Sequence, residues 1–144
     1  MQLIKRYSNC FVCGDKNRCG LKVDFFDQEG VAKAEYKASG DFEGYKDILH
    51  GGIISALLDE VMIKSILARD VLAVTASIEV RFKQPIRTGE KLFLEGRIVE
   101  DKGKVITTEG KVLKEDNTVA ALGFARYVKA DQRMKTVLEQ SLES

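Results

Sequence analysis

The stretch from Ile48 to Ile63 carries the residues of this 144-residue chain whose types and spacing could do chemistry. It opens with the only histidine, His50, followed by Gly51 and Gly52, and continues as a nearly all-apolar run holding the carboxylate Asp59. A double glycine weakens a helix start unless bare backbone amides are wanted there, and a carboxylate on a buried helix is costly unless paired. Both features make sense if the segment binds a polarised carbonyl and attacks it. Glycines at the helix start leave unpaired N–H groups at the positive end of the helix dipole, which suits a carbonyl oxygen gaining negative charge. Asp59 stands eight residues beyond Gly51, a displacement of about 12 Å along a helix, so one carbonyl cannot touch both. If the two act on one bond, Asp59 must come from a second copy of the chain whose helix runs antiparallel to the first. That implies a homodimer with two sites across its interface. The competing readings are structural: glycines that only let a helix lie close to a sheet, and an Asp59 paired with Lys64 or Ser55 within helical reach.

The elements that must hold these residues follow from periodicity. Between Gly51 and Arg69 apolar residues fall almost all round the helical wheel, which predicts a buried helix of roughly 28 Å. Before it, Leu21, Val23 and Phe25 alternate with Lys22 and Asp24; after a turn at Gly30, Ala32, Ala34, Tyr36 and Ala38 alternate with charges. This predicts a half-buried hairpin. After the helix, Leu72 to Phe82 alternates with Val74, Ala76, Ile78, Val80 and Phe82 on one face and Thr75, Ser77, Glu79 and Arg81 on the other, until Pro85 ends it. Strands over 91–100, 104–114 and 118–129 complete a meander, separated by Asp101-Lys102-Gly103 and Glu115-Asp116-Asn117 turns. Residues 1–20 read as a turn-rich arm, and Asp131 caps a short C-terminal helix or tail over 131–144. An apolar helix must be wrapped, and a single curved antiparallel sheet of five or six strands can wrap it. The expectation is therefore one α+β domain over 1–144.

Composition excludes several classes. Lysine and arginine number 23 against 22 acids, so no net charge advertises nucleic acid. No 18-residue apolar stretch free of charge predicts a membrane span, and Met1 to Arg6 is too short an apolar run for a signal peptide, which together predict a cytoplasmic protein. Cys10, Cys13 and Cys19 are too few and too odd in number for a disulfide framework in a reducing compartment. With His50 they could in principle hold zinc, but only one of the two knuckles that structural zinc sites use is present. No metal and no cofactor are expected.

Three pieces resemble the hotdog-fold acyl-CoA thioesterases of the phenylacetate-pathway, or PaaI-like, superfamily: His50-Gly51-Gly52 with an acid nine residues after the histidine, Val74-Thr75-Ala76 opening the next strand, and Phe82-Lys83-Gln84-Pro85 closing it. The lead-in Cys10-Phe11-Val12-Cys13-Gly14, with Asn17 and Gly20-Leu21, is also similar, although the family usually has proline where this chain has Arg18. The resemblance implies a hotdog fold and hydrolysis of an acyl-CoA thioester by a homodimer or a dimer of dimers. The Gly51 amide would polarise the carbonyl, with His50 and Gly52 shaping the turn. Asp59 would act as nucleophile or general base, and Thr75 would orient the carboxylate or water. Arg81, Lys83 and Lys104 are the candidates for the nucleotide phosphates. Relatives often carry an asparagine or glutamine shortly before the His-Gly-Gly, and none occurs here between Ser39 and Leu49. That departure favours the alternative of a non-catalytic acyl-CoA binding or sensing protein. A hotdog dehydratase fits less well, because its acid–base pair is differently spaced.

Overall fold

In the computed structural model, the structure describes residues 1–142, so the last two residues of the expected tail lie outside the described residues. The chain forms β1 (Gln2–Leu3), β2 (Phe26–Gln28), β3 (Val31–Lys37), a short 3-10 turn (Gly40–Phe42), α1 (Gly51–Leu67), β4 (Ala73–Phe82), β5 (Lys91–Asp101), β6 (Val105–Lys114), β7 (Val119–Lys129) and α2 (Gln132–Ser141). All strand pairs are antiparallel, in the order β1-β2-β3-β5-β6-β7-β4. The sheet thus has seven strands where five or six were expected. The additions are small, because the arm contributes β1, two residues laid against β2.

The predicted first strand is the other correction. Leu21, Val23 and Phe25 are buried as the alternation requires, yet the ladder begins only at Phe26. The arm occupies this segment instead: Leu21 and Val23 donate their N–H groups to the carbonyls of Phe11 and Val12, and Phe25 accepts from Ile4. Alternation is satisfied by packing on the arm without a full strand partner.

Helix α1 packs against β3, β4, β5, β6 and β7, burying Leu57, Leu58, Val61, Met62 and Ile66 completely. A row of glycines lets it lie close to the sheet. Gly96, Gly110 and Gly123 sit directly opposite one another on β5, β6 and β7. A Cβ at Gly96 would stand 2.4 Å from the Val61 carbonyl oxygen, one at Gly110 2.9 Å from Met62 Cγ, and one at Gly123 3.0 Å from Met62 Cε. A side chain at Gly96 would push the helix backbone away from the sheet, and one at Gly110 or Gly123 would displace the Met62 side chain. Helix α2 begins where expected, with Asp131 accepting from the Met134 N–H at 2.8 Å. Among the described residues no helix is long and apolar enough to cross a membrane.

Candidate active site

His50 is the N-cap of α1, with extended backbone (φ −60°, ψ 133°), and its Nδ1 accepts the Gly52 N–H at 2.8 Å. The Gly52 amide is therefore committed to the histidine. Glycine is needed there for room, since a Cβ would stand 3.0 Å from that same Nδ1. The N–H groups of Ile53 and Ile54 both reach the His50 carbonyl. Only the Gly51 N–H in this turn has no acceptor among the described residues. Gly51 lines a cavity of about 710 Å³ together with Tyr45, Ile54, Phe82, Lys83 and Gln84. A bare donor at the positive end of a 17-residue helix, opening on a mainly apolar cleft, is the arrangement an electronegative carbonyl oxygen would seek.

Asp59 is half-buried further along the same helix. Its Oδ1 accepts the Tyr127 hydroxyl at 2.8 Å and the Thr75 hydroxyl at 3.0 Å, while Oδ2 lies 3.4 Å from Thr75. Strict alternation puts Thr75 on the face opposite Ile78 and Val80, and the structure corrects this. A β-bulge between Thr75 and Ser77 inserts one extra residue, so Thr75 opposes Tyr127 while Ile78 opposes Ala125 and Val80 opposes Gly123. Directly opposed residues share a face, so the bulge turns Thr75 inward without turning Ile78 and Val80 outward. Burial, followed by the Asp59 charge and hydrogen bond, pushes the Tyr127 phenol well above its ordinary pKa. Both effects favour the protonated phenol, which donates to the carboxylate. The structural partners considered for Asp59 are engaged elsewhere: Lys64 pairs with Glu60 at 3.8 Å, and the Ser55 hydroxyl donates to the Gly51 carbonyl at 3.0 Å.

The remaining expected site residues fall into two groups. Arg81 and Lys83 lie at the Phe82 end of β4, on the Gly51 side, where Lys83 lines the cavity. Arg81 is engaged, donating to Glu79 at 2.8 Å and stacking on Phe124 at 5.2 Å. Lys104 precedes β6 next to Val105, which pairs with Val128 near the Thr75 end of the sheet. The chain by itself therefore does not bring Lys104 together with Arg81 and Lys83. The sequence reading missed Tyr127, whose only signal was an inward place in β7, and Gln84, an amide that reaches the cavity from the end of β4. The cysteines also regroup: among the described residues Cys10 and Cys13 meet Glu60, with neither Cys19 nor His50 in the set.

Residues 46–121, more than half of the chain, match the family profile described as the thioesterase superfamily. No curated protein matches the chain. Among solved structures, a crystal structure of a thioesterase superfamily protein superposes with a TM-score of 0.80 at 24% identity, covering 84% of this chain and 60% of that one. This chain thus spans 60% of the length of that relative. The PaaI protein of E. coli, from the phenylacetic acid degradation operon, gives a TM-score of 0.72 at 16% identity, covering 77% of this chain and 81% of that one. A hypothetical thioesterase of Streptococcus pneumoniae, solved with coenzyme A, gives 0.72 at 13% identity, covering 76% and 90%. Structures of that protein also exist with an aspartate and a threonine each replaced by alanine.

Proposed function

The chain belongs to the thioesterase superfamily, a family of thioester hydrolases with the hotdog arrangement of sheet around helix described above, and on that premise we propose that it hydrolyses an acyl-CoA thioester to the free acid and CoA. The observation that carries the reading is the pair of half-sites on α1. One end offers a bare Gly51 N–H beside an apolar cleft, and the Asp59 end offers a carboxylate held by two hydroxyls.

About 12 Å of helix separates Gly51 from Asp59, so each site draws Gly51 from one protomer and Asp59 from its partner. Strand β4 supports such pairing. It is a ten-residue edge strand with Ile78 40% and Phe82 55% exposed, and an open apolar edge is a template for another copy. In an antiparallel pair the Lys104 end of one protomer lies beside the Lys83 end of the other, which gathers the basic residues suited to the nucleotide phosphates.

The chemistry follows from the two ends. Asp59 acts as general base: Oδ1 takes the two shorter hydroxyl bonds, and Oδ2, with only the 3.4 Å Thr75 contact, is the oxygen offered to water. Oδ2 accepts a proton as the water oxygen bonds to the thioester carbon. The carbonyl oxygen gains negative charge against the Gly51 N–H, and collapse of the tetrahedral intermediate breaks the C–S bond. The Asp59 proton then passes to the departing thiolate, returning the carboxylate to its starting state. Direct attack by Asp59 would form a mixed anhydride instead, and single turnover in ¹⁸O water separates the routes by label in the Asp59 carboxylate. The aspartate and threonine replaced in the Streptococcus protein are the residue types that form the Asp59–Thr75 pair here.

The test is a panel of acyl-CoAs with a thiol reagent on wild type and Asp59→Asn. The variant should lose roughly 10²–10⁴-fold in kcat, the range of a general base. Mixing Asp59→Asn with a chain whose Gly51 N–H is removed should restore about a quarter of wild-type activity, because the mixed dimer keeps one complete site. Hydrolysis by Asp59→Asn at the wild-type rate would overturn the role. Tight CoA-ester binding without turnover would favour a sensing protein.

A further inference from the structure

The N-terminal arm carries a second cluster of reactive side chains, on a different face of α1 from Asp59. Cys10 and Cys13 bracket a tight turn in which Gly14 N–H returns to the Cys10 carbonyl at 2.9 Å. A Cβ at Gly14 would stand 2.5 Å from both the Cys10 amide nitrogen and the Ser8 carbonyl oxygen, so only glycine closes this turn. The Cys10 Sγ accepts the Val12 N–H at 3.3 Å and the Cys13 N–H at 3.5 Å. The turn is folded onto the helix so that Cys10 Sγ lies 3.6 Å from Glu60 Oε2. The two sulfurs and a Glu60 oxygen all lie within 4.8 Å of one another.

We propose that Cys10, Cys13 and Glu60 form a binding site for a divalent cation of the zinc class, which clamps the arm to the central helix.

Three observations support it. The first is spacing. With metal–sulfur and metal–oxygen bonds of about 2.3 and 2.0 Å, a tetrahedral ion separates sulfur from oxygen by about 3.5 Å and sulfur from sulfur by about 3.8 Å. The observed 3.6 Å between Cys10 and Glu60 matches the first separation. The second is preorganisation: two backbone N–H groups already point at Cys10 Sγ and support a thiolate there. The third is charge. Two thiolates and one carboxylate around a divalent ion leave one net negative charge, and the buried Lys64 ammonium, 3.8 Å from Glu60, balances it. Lys64 also donates to the Lys5 carbonyl and lies over the faces of Tyr7 and Phe25. A cleft beside Tyr7, Ser8, Asn9 and Cys10 gives a water access to the fourth position.

The full chain, purified under reductant and stripped with chelator, tests this by titration with Co²⁺ and Zn²⁺. The expected result is a thiolate-to-cobalt charge-transfer band saturating near one ion per chain and bleached by Zn²⁺. Cys10→Ser, Cys13→Ser and Glu60→Gln should each bind at least about tenfold more weakly. Cys19→Ser, which alters an exposed thiol outside the cluster, should bind as wild type. Glu60→Gln keeps the side-chain shape, and circular dichroism verifies that each variant is folded. Absence of the band in wild type, wild-type affinity in Glu60→Gln, or a mass two hydrogens short under the same reductant, marking a Cys10–Cys13 disulfide, would each overturn the proposal.

Discussion

Gly51→Pro separates the chemistry of the helix start from its fold. Proline is favoured at the first helical position, where its missing N–H had no helical partner, provided the preceding residue is extended. His50 already has φ −60° and ψ 133°. The Gly51 N–H has no acceptor among the described residues, so its loss removes no internal hydrogen bond. A Cβ at this position would stand 3.5 Å from the Phe82 ring, an ordinary contact. Folding should therefore be unaffected or improved by about 0.4–1 kcal/mol, through the stiffer unfolded chain. If the amide receives the developing oxyanion, kcat should fall about 10²–10³-fold, or roughly 2.7–4 kcal/mol of transition-state stabilisation. Gly51→Ala is the matched control: it adds the same Cβ, keeps the N–H, and should stay near wild type. The assays are thermal melting and steady-state hydrolysis of one acyl-CoA by all three proteins. A folded Gly51→Pro enzyme within about threefold of wild-type kcat would refute the oxyanion role, since that is under 1 kcal/mol. Equal losses in the alanine and proline variants would place the effect in the cavity wall and not in the amide.

Three further outcomes follow from the geometry around α1. Tyr127→Phe should lower kcat about tenfold and stability by about 1–3 kcal/mol, because the half-buried Asp59 carboxylate loses its shortest hydrogen bond. Thr75→Ser should retain most activity and Thr75→Ala should not, since serine keeps the hydroxyl; equal loss in both would mean that the β-branched shape matters and the hydrogen bond does not. In the glycine row, Gly96→Ala should destabilise by at least about 1–3 kcal/mol, because its Cβ meets the rigid Val61 carbonyl. Gly123→Ala should cost less, as the Met62 Cε it meets can swing away. Equal melting temperatures for the two would show that the helix does not sit where this row places it.

What the sequence discloses depends on how local each feature is. The buried helix, the turn at Gly30, the meander after Pro85 and the Asp131 cap are each written in a few neighbouring residues, and all are present. The single-residue bulge at Ala76 is not written there, because an alternating stretch looks the same with or without it; only pairing with β7 reveals the change of phase. The function of Gly96, Gly110 and Gly123 was hidden likewise. Each alone reads as a weak point in a strand, and they become a groove for α1 only once the register sets them side by side. Leu21 to Phe25 failed in the opposite direction: the alternation was real, but the arm supplied the partner that a strand would have needed.

The adjacent acids Asp59 and Glu60 show why a site cannot be assigned from residue type alone. Successive helical residues point about 100° apart, so the two carboxylates face different neighbours. Asp59 turns to hydroxyl donors from β4 and β7, which bond chiefly to Oδ1 and leave Oδ2 with only the longer Thr75 contact. Glu60 turns to the arm, where Lys64, Cys10 and Cys13 surround it and burial pushes its pKa up to about 7. A catalytic base is steered by hydrogen-bond donors, and the proposed role of Asp59 rests on the two hydroxyls that hold it. The Glu60 environment, packed against the arm, provides soft ligands, which suit a cation better than a substrate. The two proposed roles would be coupled through one turn of helix, because whatever fixes Glu60 to the arm also fixes the backbone that carries Asp59 to Thr75 and Tyr127.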